Sequence, residues 1–251
     1  MPTPMQTNCL NCSAVLTGKY CAHCGQKADV EKLNRHSFTE EIFHFFTHIE
    51  KGFLRTTKLV ILQPGKLCKD YLDGKRKTYH KPVGFLLIWI TLYLFARYLV
   101  NHFKSPEVTL DSTLITWDSS LLPVIAKYRS VIDLLMTPLM AFIWWIILAR
   151  PKLNYVEVLS IYFYLYAFTF MVHVTHITIA FIFGINRISN TSEYISMGVI
   201  AGWALYAGYD IYKRYAVPFL IPRLIVWVLA TLLIYMNVVK VIAKAFAALN
   251  L

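Results

Sequence analysis

The chain has 251 residues, 57% of them hydrophobic and only 16% charged, with a mean hydropathy of +0.50. Soluble domains average about 45–50% apolar residues, so the composition excludes an ordinary soluble domain and points to a polytopic membrane protein. A net charge of +11 in a soluble protein would suggest nucleic acid, but 13 of the 25 Lys and Arg precede residue 83, ahead of the first long apolar run, so the charge reads as membrane-adjacent. The N-terminal residues are polar and lack an apolar h-region, so no signal peptide is expected.

Residues 1–35 form a small head. Cys9-Leu-Asn-Cys12 and Cys21-Ala-His-Cys24 are two C-x-x-C knuckles separated by eight residues. Two such turns can hold four thiolates around one Zn2+ at about 2.3 Å each. The segment is too short to bury a core, so a structural Zn2+ would supply its folding energy. A redox pair or two disulfides are the alternatives, and the doubling of the motif favours zinc. His23 is expected to be exposed and not a ligand, and with four Cys ligands the site would be closed to catalysis. Gly18 and Gly25 supply the turns. Lys19, Tyr20 and Lys27 are too few for a nucleic-acid surface. The head is therefore expected to dock on a protein or on the rest of the chain.

Residues 36–82 read as an amphipathic helix followed by a basic linker. Ser37 and Glu40 make a capping box, and Phe38, Ile42, Phe45, Phe46, Ile49 and Phe53 recur at helical spacing. Such a stripe suits a helix lying at the membrane interface. His44 and His48 are four apart but have no carboxylate placed to complete a metal site. Gly52 is expected to break the helix before a second apolar stretch, Leu54–Leu62. In the linker, Lys66, Lys69, Lys75, Arg76, Lys77 and Lys81 flank a turn at Asp73-Gly74. This charge fits anionic headgroups, at about 1 kcal/mol per basic residue, and also fixes orientation. A headgroup or phosphate site would use Lys75, Arg76 and Lys77 with Tyr71 and Tyr79 alongside. Cys68 reads as a reduced packing residue.

Thr56, Pro64-Gly65, Tyr71, Gly74-Lys75-Arg76 and Tyr79-x-x-Pro82, placed between paired knuckles and a first span, resemble a bacterial family of membrane proteins of unknown function. That family carries an N-terminal zinc ribbon and several spans. The resemblance covers roughly residues 9–100 by motif. It implies a bacterial inner-membrane location and no assigned activity.

Residues 83–251 contain five apolar runs, at about 83–103, 131–149, 157–183, 194–212 and 219–242. The fold class is thus an all-α polytopic membrane protein of about five transmembrane helices. Arg150, Lys152, Lys213, Arg214 and Arg223 fall on the side of the basic N-terminus, which places the N-terminus in the cytoplasm and the C-terminus outside. The loop from residue 105 to 130 is expected to be polar and to hold no domain of its own. In the third run, Tyr162, Tyr166, Thr169, His173 and His176 lie on one face. They suit either interhelical hydrogen bonds or a cavity wall. Arg97 and Asp133 fall at similar depth and are expected to pair. Gly198-x-x-x-Gly202 is expected to bring the fourth span close to a neighbour, and Pro138 to kink the second.

The sequence holds no H-E-x-x-H, no G-x-S-x-G and no paired intramembrane carboxylates, so no catalytic residues are assigned. The expected function is a membrane-anchored adaptor or scaffold. Its cytoplasmic zinc ribbon and basic linker would bind a protein partner, a second copy or anionic lipids, rather than nucleic acid. The alternative is a small-molecule or lipid transporter using a polar cavity along the third span.

Overall fold

A computed structural model of the chain describes residues 8–30, 32–33, 52–103, 122–183 and 190–248. The Ser37–Glu40 capping box, the phenylalanine stripe before Phe53 and the His44/His48 pair lie outside the described residues. Among the described residues, seven helices follow the head: α1 Phe53–Leu62, α2 Pro64–Leu72, α3 Pro82–Phe103, α4 Leu122–Trp144, α5 Tyr155–Ile182, α6 Asn190–Lys213 and α7 Leu220–Ala248. A five-residue π-helical turn, Trp145–Ala149, extends α4.

Local chemistry accounts for most of the boundaries. Gly52, at φ 123°, precedes α1, as its place in the sequence suggested. Only Gln63 separates α1 from α2, and Pro64 takes the first helical position of α2, where a backbone N–H has no helical partner anyway. Asn154 and Glu157 cap α5 reciprocally: Asn154 Oδ1 accepts from Glu157 N at 2.9 Å and Glu157 Oε2 accepts from Asn154 N at 2.8 Å. Helix α4 begins at Leu122, well before the expected span start at Val131, so residues 122–130 of the expected polar loop are helical.

Helix α5 is central, packing along α3 and against α4 and α6, while α7 packs on α4 and α6. One core cluster gathers Trp144, Ile211, Tyr212 and Trp227 between α4, α6 and α7. A second gathers Tyr71, Tyr79, Phe85 and Tyr164 between α2, the linker, α3 and α5. The α4–α5 turn, the α6–α7 turn and the linker share one end of the bundle. Cys68 of α2 packs there with Ala149, Leu153 and Val217, and Asn154 Nδ2 donates to Leu33 O at 3.4 Å.

Among the described residues, four helices are long and apolar enough to cross a membrane: Pro82–Val100, Val131–Ala149, Tyr155–Ile182 and Leu220–Phe246. The expected fifth span, within α6, is not among them. At 24 residues α6 rises about 36 Å, so its length suffices. Its composition falls short because Asn190, Ser192, Ser196 and Asp210 interrupt it.

Two expected contacts take other forms. Arg97 and Asp133 have different partners: Arg97 lies over the Tyr93 ring at 5.8 Å, and Asp133 accepts from Tyr235 Oη at 2.8 Å. The helices carrying them have different main neighbours, α5 for α3 and α5 with α7 for α4. A Cβ on Gly198 or Gly202 would meet nothing within 4 Å, so this pair faces open space. Gly208 does approach a neighbour, the Leu224 side chain of α7.

Gly65 marks the tightest approach in the bundle, since a Cβ there would fall on the Asp210 carbonyl of α6. Gly65→Ala is expected to lose about 1–3 kcal/mol, read as a lower midpoint for thermal unfolding in detergent. Gly198→Ala, in open space on the same pair of scales, should be neutral or slightly stabilising. Equal destabilisation by both would contradict the packing described.

Candidate metal centre and the linker beneath it

The head is built on a twelve-residue internal repeat. Cys9, Cys12, Ser13 and Ala14 correspond to Cys21, Cys24, Gly25 and Gln26. In each half the first cysteine's N–H donates five residues on (Cys9 to Ala14 O, Cys21 to Gln26 O). Its carbonyl accepts from the residue after the second cysteine (Ser13 N, Gly25 N). All four bonds are 2.8 Å. Ser13 and Gly25 both have positive φ, 62° and 74°. An isolated bridge closes each half, Asn8 with Val15 and Tyr20 with Lys27.

The repeat brings the four cysteines together. Their Sγ atoms all lie within 4.8 Å of one another. The nearest pairs cross between the halves, Cys9 with Cys24 and Cys12 with Cys21, each at 3.6 Å. That is far longer than a disulfide, and the cysteines are free thiols. Backbone N–H groups of Cys24 and His23 hold the Cys21 thiol down at about 6. Cys12 is favoured as a thiolate by the Ala14 backbone, yet burial and the other three sulfurs push it up to about 12. Four crowded sulfurs cannot all ionise unaided, and a cation among them removes that conflict. These four residues could therefore hold a metal ion. His23 is exposed and stands apart from them.

The head does not project freely. Gln26, 6% exposed, spans the linker turn. Its Nε2 donates to Gly74 O at 2.9 Å, and its Oε1 accepts from Arg76 N and Lys77 N, both at 3.1 Å. Asn11 Oδ1 accepts from Thr78 N at 3.1 Å and from Thr78 Oγ1 at 2.7 Å. Gly74 has φ 97°, and a Cβ on it would strike Leu10 at 2.6 Å. One knuckle residue and one repeat residue thus read the backbone of residues 74–78.

The linker is held equally firmly from the bundle side. Tyr79 Oη donates to Asp70 Oδ2 at 2.8 Å, and Lys75 Nζ to Asp70 Oδ1 at 2.8 Å. Burial alone would raise the Asp70 carboxyl, but Lys75 and Tyr79 hold it below the ordinary carboxylate value. Burial and Asp70 in turn push Tyr79 up to about 12. His80 N donates to Thr56 Oγ1 at 2.9 Å, and Tyr164 Oη donates to His80 O. At the other end of α2, Gly65 N donates to Asp210 Oδ2 at 2.9 Å. Trp203 and Tyr206 donate to the carbonyls of Ile61 and Leu62. Cys68 lies fully inside, its thiol pushed well up by burial and by Asp210.

This geometry sorts the expected headgroup residues. Tyr71 and Tyr79 are buried and face inward, Tyr71 edge-on to Tyr164 at 5.6 Å. Lys75 is neutralised by Asp70, and Arg76 lies over the Tyr71 ring at 5.8 Å. Lys77 is exposed. Lys69 pairs with Asp73, and Lys213 and Arg214 pair with Asp210. Among the described residues, Lys58, Lys66, Lys77 and Lys152 are exposed cations without an ion-pair partner. They share the head's end of the bundle.

The α5 stripe is divided among neighbours. Tyr162 meets Trp144 of α4 edge-on at 5.5 Å and stacks on Tyr166 at 6.0 Å. His173 lies 6.0 Å from Tyr93 of α3, and His176 Nδ1 is 3.3 Å from Ser196 Oγ of α6. Thr169 is half-buried between them.

A family model described as a protein of unknown function (DUF3667) matches residues 50–94. That span holds α1, α2, the basic linker and the first half of α3. No curated protein and no solved structure matches the chain.

Because Asp70 titrates below its unfolded value of about 3.9, its contribution is fully present above that pH and is lost as pH falls through the lowered folded value. Protection factors for amide exchange at Lys75 and Tyr79, corrected for the intrinsic pH dependence of exchange, should therefore fall only in acid, below about pH 4, and Asp70→Asn should abolish that dependence. Gln26→Leu should leave the Lys77 N–H unpartnered and strip Gly74 O and Arg76 N down to the 2.9 Å bond they share, at about 1–3 kcal/mol. It should appear as loss of exchange protection at Arg76 and Lys77 with the thiol cluster intact.

Proposed function

We propose that this protein is a membrane-anchored scaffold. A Zn2+-held head locks a basic linker into a fixed platform at one end of the bundle, and the platform engages anionic headgroups and a protein partner. The observation that carries this reading is the bridge made by Gln26 across Gly74, Arg76 and Lys77. Through it, whatever orders the knuckles also orders the cationic turn.

Zinc is favoured by the donor set and its spacing. Four sulfurs about 2.3 Å from one tetrahedral ion stand about 3.8 Å apart, close to the 3.6 Å of the two cross-pairs. Four protein ligands leave no open position, so the ion's role is structural. The platform end also carries Arg150, Lys152, Lys213 and Arg214, which supports a cytoplasmic orientation under the positive-inside rule. Lys58, Lys66, Lys77 and Lys152 are the cations best placed to meet headgroups, in preference to Lys75.

The test compares the wild type with Cys9→Ser/Cys12→Ser, both extracted gently from their native membrane. The expected outcome is one zinc per wild-type chain and none in the variant. Exchange at the Arg76 and Lys77 amides should rise at least tenfold in the variant, with loss of whichever protein co-purifies with the wild type. A metal-free variant that keeps both the protected linker and its partner would sink the scaffold reading.

A further inference from the structure

Several partly buried indole and phenol groups in this chain find acceptors. Trp145 Nε1 donates to Leu153 O at 2.9 Å, Trp203 Nε1 to Ile61 O at 3.2 Å, and Tyr155 Oη to Pro138 O at 2.9 Å. One seam breaks the pattern. Trp144 Nε1, Trp227 Nε1, Tyr212 Oη, Tyr215 Oη and Thr231 Oγ1 are all buried with no hydrogen-bond partner. They sit together where α4, the end of α6 and α7 meet. The Trp144 ring lies 4.8 Å from Trp227 and 6.0 Å from Tyr212, and Tyr212 lies 6.5 Å from Tyr215. Trp227 and Thr231 are four apart on one face of α7. Trp144 and Tyr212 are near enough to interact, yet no hydrogen bond of ordinary geometry joins them. Two other orphaned atoms, His80 Nε2 and Trp89 Nε1, belong to a separate region around Phe53.

A buried polar atom left unpaired is costly, and five in one seam call for a common cause. Indoles only donate, so the two tryptophans cannot satisfy one another. A group that satisfies both indoles must bring acceptors, whereas the three hydroxyls can donate or accept. Trp144 is six residues from the Arg150 turn and Trp227 seven residues from the start of α7, about 9–10.5 Å along each helix. With those turns at the membrane surface, the seam falls just inside a headgroup layer about 5–8 Å deep. Paired cations stand at the mouth: Lys69, 3.1 Å from Asp73, lies 5.9 Å from the Tyr215 ring, and Lys213 and Arg214 sit on Asp210, so a phosphate there would compete with Asp73 for the exposed Lys69. Helix α7 is the least buried of the four apolar helices, so it is the wall best able to shift.

We infer that the seam between α4 and α7 is a binding site for one diacyl phospholipid. Its ester carbonyls accept from Trp144, Trp227, Tyr212 and Thr231, and its phosphate faces Lys69 and Tyr215. Esters and phosphodiesters offer acceptors without donors, which complements the two indole N–H groups, and the hydroxyls of Tyr212 and Thr231 can rotate to donate as well. The site shares with the proposed scaffold only the placement of this end at the membrane surface, and it does not depend on zinc.

The experiment uses full-length protein stripped of lipid in detergent and titrated with diacyl phosphatidylglycerol or its dialkyl ether analogue, which lacks the ester carbonyls. Retained lipid is counted by native mass spectrometry and tryptophan emission is followed in parallel. The wild type should retain one diacyl lipid per chain with a shift in emission, and the ether analogue should bind about tenfold more weakly. Tyr212→Phe removes a donor at nearly constant volume, and Trp227→Phe removes one while keeping an aromatic ring of smaller size. Each should lower retention about tenfold while folding as well as the wild type, judged by circular dichroism and gel filtration. If Trp227→Phe does not fold, Thr231→Val reads the same site. Equal retention of ester and ether lipid, unchanged retention in the folded variants, or no retained lipid in the wild type would each overturn the inference. Lys66→Gln/Lys77→Gln should leave this one lipid in place, and loss of surface enrichment for anionic lipid there bears on the scaffold reading instead.

Discussion

The break between α1 and α2 leaves three backbone groups without helical partners, one of them, the Gly65 N–H, buried. Ile61 and Leu62 end one helix with free carbonyls, and Gly65 begins the next with a free N–H. Helix α6 supplies all three partners, from Trp203, Tyr206 and Asp210. The Asp210 carboxylate sits at a helix N-terminus, where its charge is favoured, and Lys213 and Arg214 complete its shell. No side chain fits between Gly65 and Asp210. This one requirement sets the position of the linker on the bundle and, through the linker, that of the head.

The same requirement explains why α6 is less apolar than its neighbours. A helix that must carry an aspartate and hydrogen-bonding aromatics toward an irregular turn cannot also be uniformly greasy. Irregular backbone at this depth is tolerated where protein covers it, and α6 is that cover. The residues that resemble an uncharacterised family have comparable roles. Thr56 caps the His80 N–H, Gly74 admits Leu10, Tyr79 ties Asp70, and Pro82 opens α3. Their pattern is therefore a packing code for the linker, and function has to be sought on the surface that this packing presents.

How much of this was legible beforehand depended on whether the signal was periodic or singular. The cysteine cluster follows from spacing alone, because two C-x-x-C turns have few ways to fold. The apolar helices follow from long runs of one chemistry. Gln26 and Asn11 were invisible, since a lone amide in a short polar loop has no pattern to stand out from. The Asn154–Glu157 box could have been found, as N-x-x-E before an apolar run is the same signal noticed at Ser37. The Arg97–Asp133 pairing failed because depth along a helix says nothing about which helices are neighbours. The α5 stripe shares a face in sequence, yet its residues are long enough to reach α3, α4 and α6 separately. The unpartnered donors of the α4–α7 seam lie on three helices and could not be assembled without the fold.

The crossed pairing of the sulfurs has a consequence for how the protein is made. Neither knuckle holds a complete ligand set, so the head closes as a unit once Cys24 has been synthesised. Its dock at Gly74 follows 48 residues after Gln26, and the clamp on Gly65 arrives only with Asp210, 145 residues beyond Gly65. Folding from the N-terminus therefore grips the linker first from the head and last from α6. Until α6 is in place, the turn between α1 and α2 lies open to water and to quality control. Completion of that helix marks the point at which the assembly becomes sealed.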